Sequence, residues 1–408
     1  MPETTNILRP KVVRGVNSGV VLQLLRQYGP QSRADLARHS GLSEGSMSRI
    51  TSELISRDLI CEDGAENSTG GRPATRLKLQ EQHVGIGVDI GRGEARASVA
   101  TLSGKLLETV TIQIPASPNE VLSAVTQAVR RMQARYSRGK IEGLGVSVRG
   151  IVNNQTGVVE LGNSPSWVHV PVKTYLSRAL KIPVQVDNNV RLAAIAEYNY
   201  GTLPEVRNSR CLLYAMVDEG IGIGLVFDGK LYYGPHHAAG EFGQMVIADS
   251  NDTEQLDRAG CFEKLASSTA LCERYAALTQ TRPLSSAGDS RARVRKICQL
   301  AQAGDEGASE ALRQNCRYLG IGLANVIWGL NADAVVINSP INQAWSFVAP
   351  LIQNQFPARK DVVNFQNLTF RPTCLSDEAS LIGAATLPFE GLFTSGESRR
   401  ANKTAKAI

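Results

Sequence analysis

The sequence lacks the features that mark secreted and membrane proteins. Its seven cysteines are scattered over 408 residues without a CxxC pair, which favours reduced thiols over a disulfide framework. No apolar run reaches the roughly 18 residues that are needed to cross a bilayer. The first residues, MPETTNILRPK, contain no apolar stretch like that of a signal peptide. We therefore expect a cytoplasmic protein that has no membrane partner.

Aromatic residues are also scarce, at 5% of the chain, which argues against a protein that binds its ligands on stacking platforms. The hydrophobic residues, at 42%, suffice for large cores, and the length allows two or three domains. The formal net charge of +6 permits an anionic partner such as nucleic acid but does not by itself identify one.

Two helical patterns in the first eighty residues are separated by a short turn that contains glycine. Ser32 is placed to cap the first helix, Gly41 to end it, and Ser43 to cap the second. The second helix has an apolar stripe that consists of Met47, Ile50, Leu54 and Ile55. A helix, a tight turn and a second helix are typical of helix-turn-helix DNA-binding domains.

The polar face of the second helix supplies candidate DNA contacts, because small hydroxyls admit close approach to DNA and a guanidinium can reach a guanine edge. The candidates are Ser43, Glu44, Ser46, Ser48, Arg49 and Ser52. Farther on, LICEDG and TRLKLQ can pair as a hairpin across AENSTGGRPA, whose Arg72 would reach a phosphate or the minor groove. A small helical protein-binding module fits the helices equally, but the added GGRP wing favours operator DNA as the partner.

From His83 onward the sequence becomes rich in strands and glycine turns. VGIGVDIG and, later, CLLYAMVDEGIGIGLVFDG share the order of strand, acid–glycine turn and strand. This repetition predicts an internal duplication with two lobes of related topology. Glycine turns of this kind suit the binding of nucleotide phosphates through backbone N–H groups.

Several motifs of this region resemble those of the ROK family, which comprises repressors, open reading frames and sugar kinases. They are GVDIG, GLGVSVRGIVNNQTG, VDNNVRLAAIAE, GIGIGLVFDGKLYYG, AAGEFGQM and EASLIGAA. With its N-terminal helices the chain is similar to the family's repressor branch, which includes xylose and N-acetylglucosamine repressors. The resemblance implies an α/β fold, with an N-terminal winged helix-turn-helix followed by a two-lobed actin-like body of the ribonuclease H-like, sugar kinase class.

The resemblance also predicts where the domains begin and end. Residues 1–80 would form the winged helix-turn-helix, and 83–190 the first lobe, which a C-terminal helix at about 377–392 would complete. Residues 191–376 would form the second lobe. The basic tail 393–408 is predicted to be disordered, and contact of its charges with DNA is the lesser alternative.

The phosphate turns depart from those of working ROK kinases. The first turn reads DIGRGE instead of DIGGTK, so Arg92 replaces a glycine and Glu94 adds a negative charge where a polyphosphate would lie. The second turn, 218–222, reads DEGIG instead of the GTGIG type. Asn338 and Ser339 occupy the place of the paired glycines that bind adenosine.

The predicted catalytic position departs as well. ROK kinases have an Asn-Asp pair whose aspartate accepts the proton of the sugar hydroxyl, and this chain has Asn188 and Asn189. An amide still forms hydrogen bonds with a sugar but cannot accept its proton. We therefore expect a sugar receptor that is not an enzyme and that uses no cofactor.

The zinc motif of the family is largely missing. Gln244 stands where the family has a histidine, and in the loop that aligns with residues 254–263 only Cys261 remains of three cysteines. One thiolate cannot build a tetrahedral site, so we expect no metal. Two alternatives stay open at this point: His236 and His237 could substitute for the lost ligands, or Cys261 is simply a buried apolar residue.

The sugar contacts that the resemblance implies are better kept. Glu241 and Glu263 match two glutamates that hold sugar hydroxyls, and Gln244 can still bind one through its amide. Arg149 stands where many members have proline. It could meet a phosphate or carboxylate of the ligand, or it could pair with Glu160.

These observations predict a sugar-responsive transcriptional regulator, a homodimer or homotetramer that represses carbohydrate genes. Sugar binding would close the cleft between the lobes and change the spacing of the paired DNA-reading helices. One alternative is a bifunctional ROK sugar kinase with a fused DNA-binding domain, which Asn189 disfavours. The other is a repressor that is controlled by a partner protein instead of a sugar.

Overall fold

The computed structural model describes residues 10–65, 75–115, 117–137, 139–162, 164–248, 260–281, 290–356 and 367–395. The chain divides into two compact units, one formed by residues 1–192 and 380–408 and the other by 193–379. The tip of the predicted wing with Arg72, most of the aligned cysteine loop and residues 396–408 of the basic tail lie outside the described residues. Residues 393–395, which were predicted to begin the disordered tail, instead end the last helix of the chain, because the apolar side chain of Phe393 is buried in the core.

The first unit begins with three helices and a small antiparallel sheet. Its elements are α1 (Pro10–Tyr28), β1 (Gln31–Ser32), α2 (Arg33–Ser40), α3 (Glu44–Ser56), β2 (Ile60–Ala65) and β3 (Thr75–Leu79), with the strand order β1-β3-β2. The hydroxyl of Ser32 caps α2, Gly41 ends it at a φ of 70°, and Ser43 caps α3. The predicted caps, the turn and the pairing of β2 with β3 are thereby confirmed.

The core of these N-terminal elements is shared with the end of the chain. Leu36, Met47 and Leu54 pack in one cluster with Phe389 and Phe393, and α1 lies against the last helix of the chain. Gly19 of α1 permits this approach, because a Cβ atom there would lie 2.5 Å from the carbonyl oxygen of Phe393.

The rest of the first unit is built on a five-stranded sheet of order β11-β7-β4-β5-β6, with a second sheet of order β10-β9-β8 beside it. The elements are β4 (His83–Ile90), β5 (Glu94–Thr101), β6 (Leu106–Gln113), α4 (Pro118–Arg135), β7 (Lys140–Val148), β8 (Gly150–Asn153), β9 (Val158–Gly162), β10 (Val168–Val170), α5 (Val172–Leu180), β11 (Val184–Asn188) and α6 (Asn189–Tyr200). Strands β4, β7 and β11 are parallel, and their apolar residues are buried against α4 and α5.

The second unit contains another five-stranded sheet, of order β14-β13-β12-β15-β16. Its elements are α7 (Pro204–Arg207), β12 (Cys211–Val217), β13 (Ile221–Phe227), β14 (Lys230–Leu231), α8 (Phe262–Ala266), α9 (Ser268–Thr279), α10 (Ser290–Gln302), α11 (Glu306–Leu330), β15 (Ala334–Asn338), α12 (Trp345–Gln353) and β16 (Thr369–Pro372). In both sheets an antiparallel pair follows the central strand and two parallel strands complete the other side. The predicted duplication of the topology is confirmed.

The chain closes with α13 (Ala379–Thr386) and α14 (Glu390–Ser395). Helix α13 lies directly on strands β4 and β7, because glycines face it: a Cβ atom on Gly87 would lie 2.6 Å from the Cα of Ala385, and one on Gly145 would lie 2.9 Å from the carbonyl carbon of Ala384. Within the described ranges, none of the helices is both long enough and apolar enough to cross a membrane.

Candidate functional site

Helix α3 presents a polar face that could meet nucleic acid. Met47, Ile50 and Leu54 are buried on one side, whereas the other side exposes Glu44, Ser48, Arg49 and Ser52. Ser43 and Ser46 lie at the start of the helix, where the Ser43 hydroxyl donates to that of Ser46 over 3.0 Å. The exposed positions therefore form a continuous stripe of small hydroxyls with a guanidinium at its centre.

Arg33 anchors α3 in the domain through the Thr51 hydroxyl. The Thr51 hydroxyl, buried at the back of the helix, donates to the carbonyl of Met47 over 2.9 Å and accepts from the Arg33 Nε over 3.2 Å. The same arginine reaches Glu62 of β2 at 3.5 Å. Arg33 thus links the start of α2 to α3 and to the predicted wing, which sequence reasoning did not anticipate.

The junction of β11 and α6 holds the two amides in place of the expected catalytic pair. The Asn188 Oδ1 accepts hydrogen bonds from the backbone N–H groups of Val190 (2.9 Å) and Arg191 (3.1 Å), so it caps α6. Its Nδ2 donates to the carbonyl of Gly150 over 2.8 Å. Asn189 begins the helix and is 9% exposed. Asn188 is therefore bound tightly to its own unit, with one amide hydrogen left for a ligand.

The acid of the same motif has a structural role that sequence reasoning missed. Asp187 Oδ1 accepts from Arg191 Nε over 2.8 Å, and both side chains are almost fully buried. The Arg191 Nη2 also donates to the carbonyl of Val152 over 2.8 Å. The spacing i, i+4 across the start of α6 was the available signal, since it brings an acid and a base to one face.

Arg149 follows β7 and lines a cavity of about 390 Å³ in the first unit. The cavity is also lined by Arg92 from the β4–β5 turn and by Ser164, Ser166 and Trp167 from the loop between β9 and β10. Glu160, the alternative partner predicted for Arg149, contacts the ring of His169 at 2.9 Å. The serine and tryptophan residues were not predicted, although a polar loop that ends in tryptophan after a strand is a recognisable signal.

The second phosphate turn is held by charges of its own unit. Asp218 Oδ2 accepts from Arg291 Nη1 over 3.0 Å, and Arg291 also pairs with Asp377. The Asp218 N–H donates to the Gly220 carbonyl over 2.9 Å, which tightens the turn. An arginine therefore neutralises the acid that the sequence places where a phosphate would bind.

Glu241, Gln244 and Glu263 come from two adjoining segments of the second unit. Glu241 precedes the short 3-10 helix Phe242–Gln244, and Glu263 lies in the first turn of α8. The two segments are joined because the Phe262 N–H donates to the Met245 carbonyl over 2.7 Å. The Glu263 Oε2 accepts from the N–H of Ile221 over 3.0 Å, so this carboxylate also contacts the second phosphate turn.

The sequence pattern that defines the ROK family matches residues 85–390. The chain belongs to the ROK family. Among its curated relatives, the transcriptional dual regulator NagC of Escherichia coli is 28% identical over 352 residues, which are 84% of this chain and 85% of that protein. The xylose repressor of Bacillus spizizenii is 25% identical over 385 residues, or 93% and 96% of the two chains.

Solved structures of ROK proteins support the same fold. A ROK family transcriptional regulator, a homolog of the E. coli MLC protein, is 26% identical with a TM-score of 0.76 and covers 94% of this chain and 97% of its own. A ROK family glucokinase from Streptomyces griseus in complex with glucose and AMPPNP has a TM-score of 0.61 at 24% identity and covers 74% of this chain and 98% of its own. The kinase resembles the fold of the body, whereas the regulator matches nearly the full length.

Asn338 and Cys261 are two further positions at which the ROK motifs were compared. Asn338, at the end of β15, is buried and its Nδ2 donates to the hydroxyl of Tyr214 (2.9 Å) and the carbonyl of Ser376 (3.1 Å). Burial raises the pKa of Tyr214 far above its usual range. The Cys261 thiol is buried and donates to the Gln244 carbonyl over 3.6 Å. In the described part of the chain, no three His, Cys, Asp or Glu residues are grouped for a metal.

Proposed function

We propose that the protein is a DNA-binding transcriptional regulator that represses carbohydrate genes and whose ROK body senses a sugar without phosphorylating it. One observation carries this proposal: a helix-turn-helix with an exposed polar recognition face is fused to a ROK body with Asn189 at the position of the general base. Relatives that are named as repressors support the proposal, and they match most of the chain.

The DNA contact is assigned to the exposed stripe of α3. A recognition helix reads the major groove through a few side chains near its start, and a bidentate arginine–guanine contact is the most common specific one. Arg49 is exposed and carries the only guanidinium among the residues 44–56 of this helix. We assign base reading to Arg49, close backbone approach to Ser43, Ser46, Ser48 and Ser52, and wing contacts to Arg72.

The absence of catalysis is inferred from three positions. Asn189 cannot take the proton of a sugar hydroxyl, because an amide nitrogen or oxygen is not a base at neutral pH. Glu94 lies at the end of the first phosphate turn, and Asp218, in the second, is engaged by Arg291. A nucleoside triphosphate would have to displace this ion pair or bind against the repulsion of the negative charges of Glu94 and Asp218.

The effector is assigned to the amides and acids that the ROK resemblance implies. We propose that the sugar is contacted by Asn188, Asn189, Arg149, Glu241, Gln244 and Glu263. Carboxylates and amides arranged around a ligand satisfy the many hydroxyls of a sugar. The regulator would act in the cytoplasm as a homodimer or homotetramer, so that two recognition helices could meet half-sites about 34–36 Å apart or a multiple of that distance.

A route for the signal lies within the first unit. Asn188 contacts Gly150, the Ser380 hydroxyl donates to the Asn189 carbonyl over 3.2 Å, and α13 continues from there into α14. Helix α14 packs on α1 of the DNA-binding domain. A ligand that shifts the start of α6 would therefore reach α1 through one continuous segment, provided that it binds the two conformers with different affinity.

The first experiment measures ATP turnover by the purified protein in the presence of glucose, N-acetylglucosamine or xylose. Neither the wild type nor Asn189→Asp should turn over ATP above a blank, because restoring the base leaves both phosphate turns altered. Sugar-dependent turnover by the wild type would support the bifunctional kinase instead.

The second experiment separates DNA binding from sensing, using a binding site selected from a random DNA library. Arg49→Ala should weaken binding by about tenfold to a hundredfold and relax specificity at one base pair. Arg313→Ala, an exposed arginine of α11, is the matched control and should bind normally. Arg72→Ala should weaken binding to all sequences and reduce its salt dependence.

The Glu241→Ala variant should bind DNA with the wild-type affinity, but the sugar should no longer release it from the DNA. If this variant still leaves the DNA at the same effector concentration as the wild type, the assigned sugar residues are wrong. Co-purification of a regulatory protein in place of a sugar response would then favour control by a partner.

A further inference from the structure

Strand β6 (Leu106–Gln113) is an edge of the first unit's five-stranded sheet, and among the described residues only β5 pairs with it. The Ile114 N–H donates to the Gly93 carbonyl over 3.1 Å, so these two residues form a hydrogen-bonded pair. Such pairs alternate with non-hydrogen-bonded ones along an antiparallel ladder, so the backbone groups of Thr109 and Thr111 point away from β5. The edge therefore offers a row of N–H and C=O groups to another strand.

This edge lacks the features that usually keep a strand from pairing with another chain. Natural edge strands are protected by lysine, proline or a bulge. Residues 108–113 contain neither lysine nor proline, and the irregularity in the pairing of β5 with β6 precedes them. Their exposed members, Thr109, Thr111 and Gln113, are uncharged. An incoming strand would therefore meet no steric or electrostatic obstacle along this stretch.

A cavity of about 330 Å³ lies beside the edge, between β6 and helix α4. Val110 and Ile112 of β6 and Met132 of α4 provide apolar surface. Ala124 and Ala128, which lie one turn apart on α4, leave space because their side chains are small. Side chains alternate between the two faces of a sheet, so a strand added to β6 would direct every second side chain toward this cavity.

The cavity has a cationic rim, formed by Arg131 and Arg135 of α4. Glu108 is the only acid among its described lining residues, and it pairs with Arg135. Arg131 is exposed and has no partner among the residues that the structure describes. A carboxylate on the incoming strand would supply the opposite charge. A second copy of this chain would bring the same arginines and only an acid that is already paired, so the charges favour a different, acidic partner.

We propose that β6 is a docking site for an extended, acidic segment of a partner protein, which adds to the sheet as a further strand. Backbone hydrogen bonds to residues such as Thr111 would provide the affinity. The cavity would take alternate apolar side chains of the segment, and Arg131 would select for an acid among them. None of these residues is assigned to DNA or to the sugar, so the inference does not depend on the proposed function.

The test is fluorescence anisotropy with the full-length protein and three labelled peptides, SVTETVTES, SVTQTVTQS and SVTKTVTKS. In each extended peptide the valines share one side with the glutamates, glutamines or lysines. The glutamate peptide should bind about fivefold to tenfold more tightly than the lysine peptide, and the glutamine peptide should fall between them. The preference should shrink as salt is added, because salt screens exposed charges.

Variants assign the binding to the edge and to its rim. Thr111→Pro removes an outward N–H and should abolish binding, and the fold should tolerate it because this N–H does not pair with β5. Thr111→Ala keeps the N–H and is the matched control. Arg131→Glu should reverse the order of the glutamate and lysine peptides. Arg130→Glu should leave that order unchanged, since Arg130 donates to the Ala179 carbonyl and does not line the cavity. Circular dichroism confirms that each variant is folded.

Four outcomes would overturn the inference. They are equal binding of the three peptides, wild-type binding by a folded Thr111→Pro, an unchanged peptide order in Arg131→Glu, or no binding of the glutamate peptide at about 1 mM. Analytical ultracentrifugation tests the other occupant. If Thr111→Pro or Arg131→Glu converts a wild-type oligomer into smaller species, a second copy covers this edge and the acidic partner is wrong. DNA binding by the same variants is expected to be unchanged, so a failure here leaves the proposed function intact.

Discussion

The two five-stranded sheets share a topology but differ along one pair of central strands. In the first unit, Gly85 pairs with Gly143 and Gly87 with Gly145 across β4 and β7. At the same positions of the second unit, Tyr214 pairs with Val336 and Met216 with Asn338 across β12 and β15. At these positions the first sheet has only glycines, so we call its strands bare. The second sheet carries larger side chains there, so we call its strands filled.

The difference reflects what packs on the central strands in each copy of the repeat. The bare strands admit the backbone of α13, whereas the filled strands bury Tyr214 and Asn338, which are joined by a hydrogen bond. The turns that follow the central strands differ in the same sense. Asp89 accepts from the Ser147 hydroxyl over 2.5 Å beside a cavity, and Asp218 is held by Arg291.

The largest effect is expected where the bare strand meets the helix. Gly87→Ala should lower the free energy of unfolding of the first unit by about 3 kcal/mol, because the added methyl would meet the backbone of Ala385, which cannot move aside. Gly45→Ala is the control, since nothing surrounds that helical glycine, and it should stabilise by up to about 1 kcal/mol. Urea denaturation followed by circular dichroism measures both. An unchanged midpoint for Gly87→Ala would contradict the close packing of α13.

The arginines beside Asp218 and Asp89 should contribute unequally to the free energy of unfolding. Arg291→Leu should cost about 2 kcal/mol, because it leaves a largely buried Asp218 without its charged partner. Arg96→Leu should cost about 0.5 kcal/mol or less, since Arg96 lies 3.5 Å from Asp89, which keeps the Ser147 hydroxyl. Equal losses in urea denaturation would mean that the two turns are balanced in the same way.

Removal of the buried Tyr214 hydroxyl in the second sheet should have a smaller effect on the free energy of unfolding. Tyr214→Phe removes one acceptor of the buried Asn338 amide and should cost about 1 kcal/mol, because Asn338 keeps the Ser376 carbonyl. Tyr232→Phe, at a tyrosine that is 50% exposed, should leave the unfolding midpoint of the second unit where it is. A neutral result for both would show that this hydrogen bond adds nothing to stability.

The buried thiols of the second unit should leave its stability unchanged at neutral pH, and their ionisation should lower its stability increasingly in alkali. Burial raises the pKa of Cys211 to about 11 and those of Cys298 and Cys316 to about 12, whereas an unfolded thiol titrates near about 8.5. The stability that this provides is complete below the unfolded pKa and is lost as pH rises through the folded values.

Two measurements check this prediction. The urea midpoint of the second unit should fall between pH 8 and pH 10 by less in a Cys298→Ala, Cys316→Ala double variant than in the wild type. In the native protein at pH 8, Cys298 and Cys316 should resist thiol labelling while the half-buried Cys61 and Cys374 react. Rapid labelling of all seven cysteines would show that the second core opens readily.

Local chemistry made much of this structure predictable from the sequence. Ser32, Gly41 and Ser43 act within one or two helical turns, so their roles could be deduced without a fold. The repeated turn motifs likewise predicted two sheets of the same topology. The likeness of the motifs to ROK sequences then supplied the family.

Partners that are distant in sequence were not predictable in this way. The pairing of Arg291 with Asp218 joins residues 73 positions apart, and nothing in either segment names the other. The serine and tryptophan loop joined Arg149 only because the hairpin β9–β10 folds back over the strand ends. Asn188 was predicted as a ligand residue, and its hydrogen bond to the Gly150 carbonyl depends on where the fold places Gly150, which is 38 positions away.

The shared core of α1 and α14 has a consequence for synthesis on the ribosome. Leu22 and Leu25 are made near the start of the chain, yet the cluster that buries them includes Leu392 and Phe393. The part of α1 that packs on α14 therefore stays open until almost the whole chain has emerged, since a contact cannot form before both segments exist. A nascent or prematurely terminated chain would lack a finished DNA-binding domain, so a molecule competent to bind the operator is also one whose sensory body has been fully made.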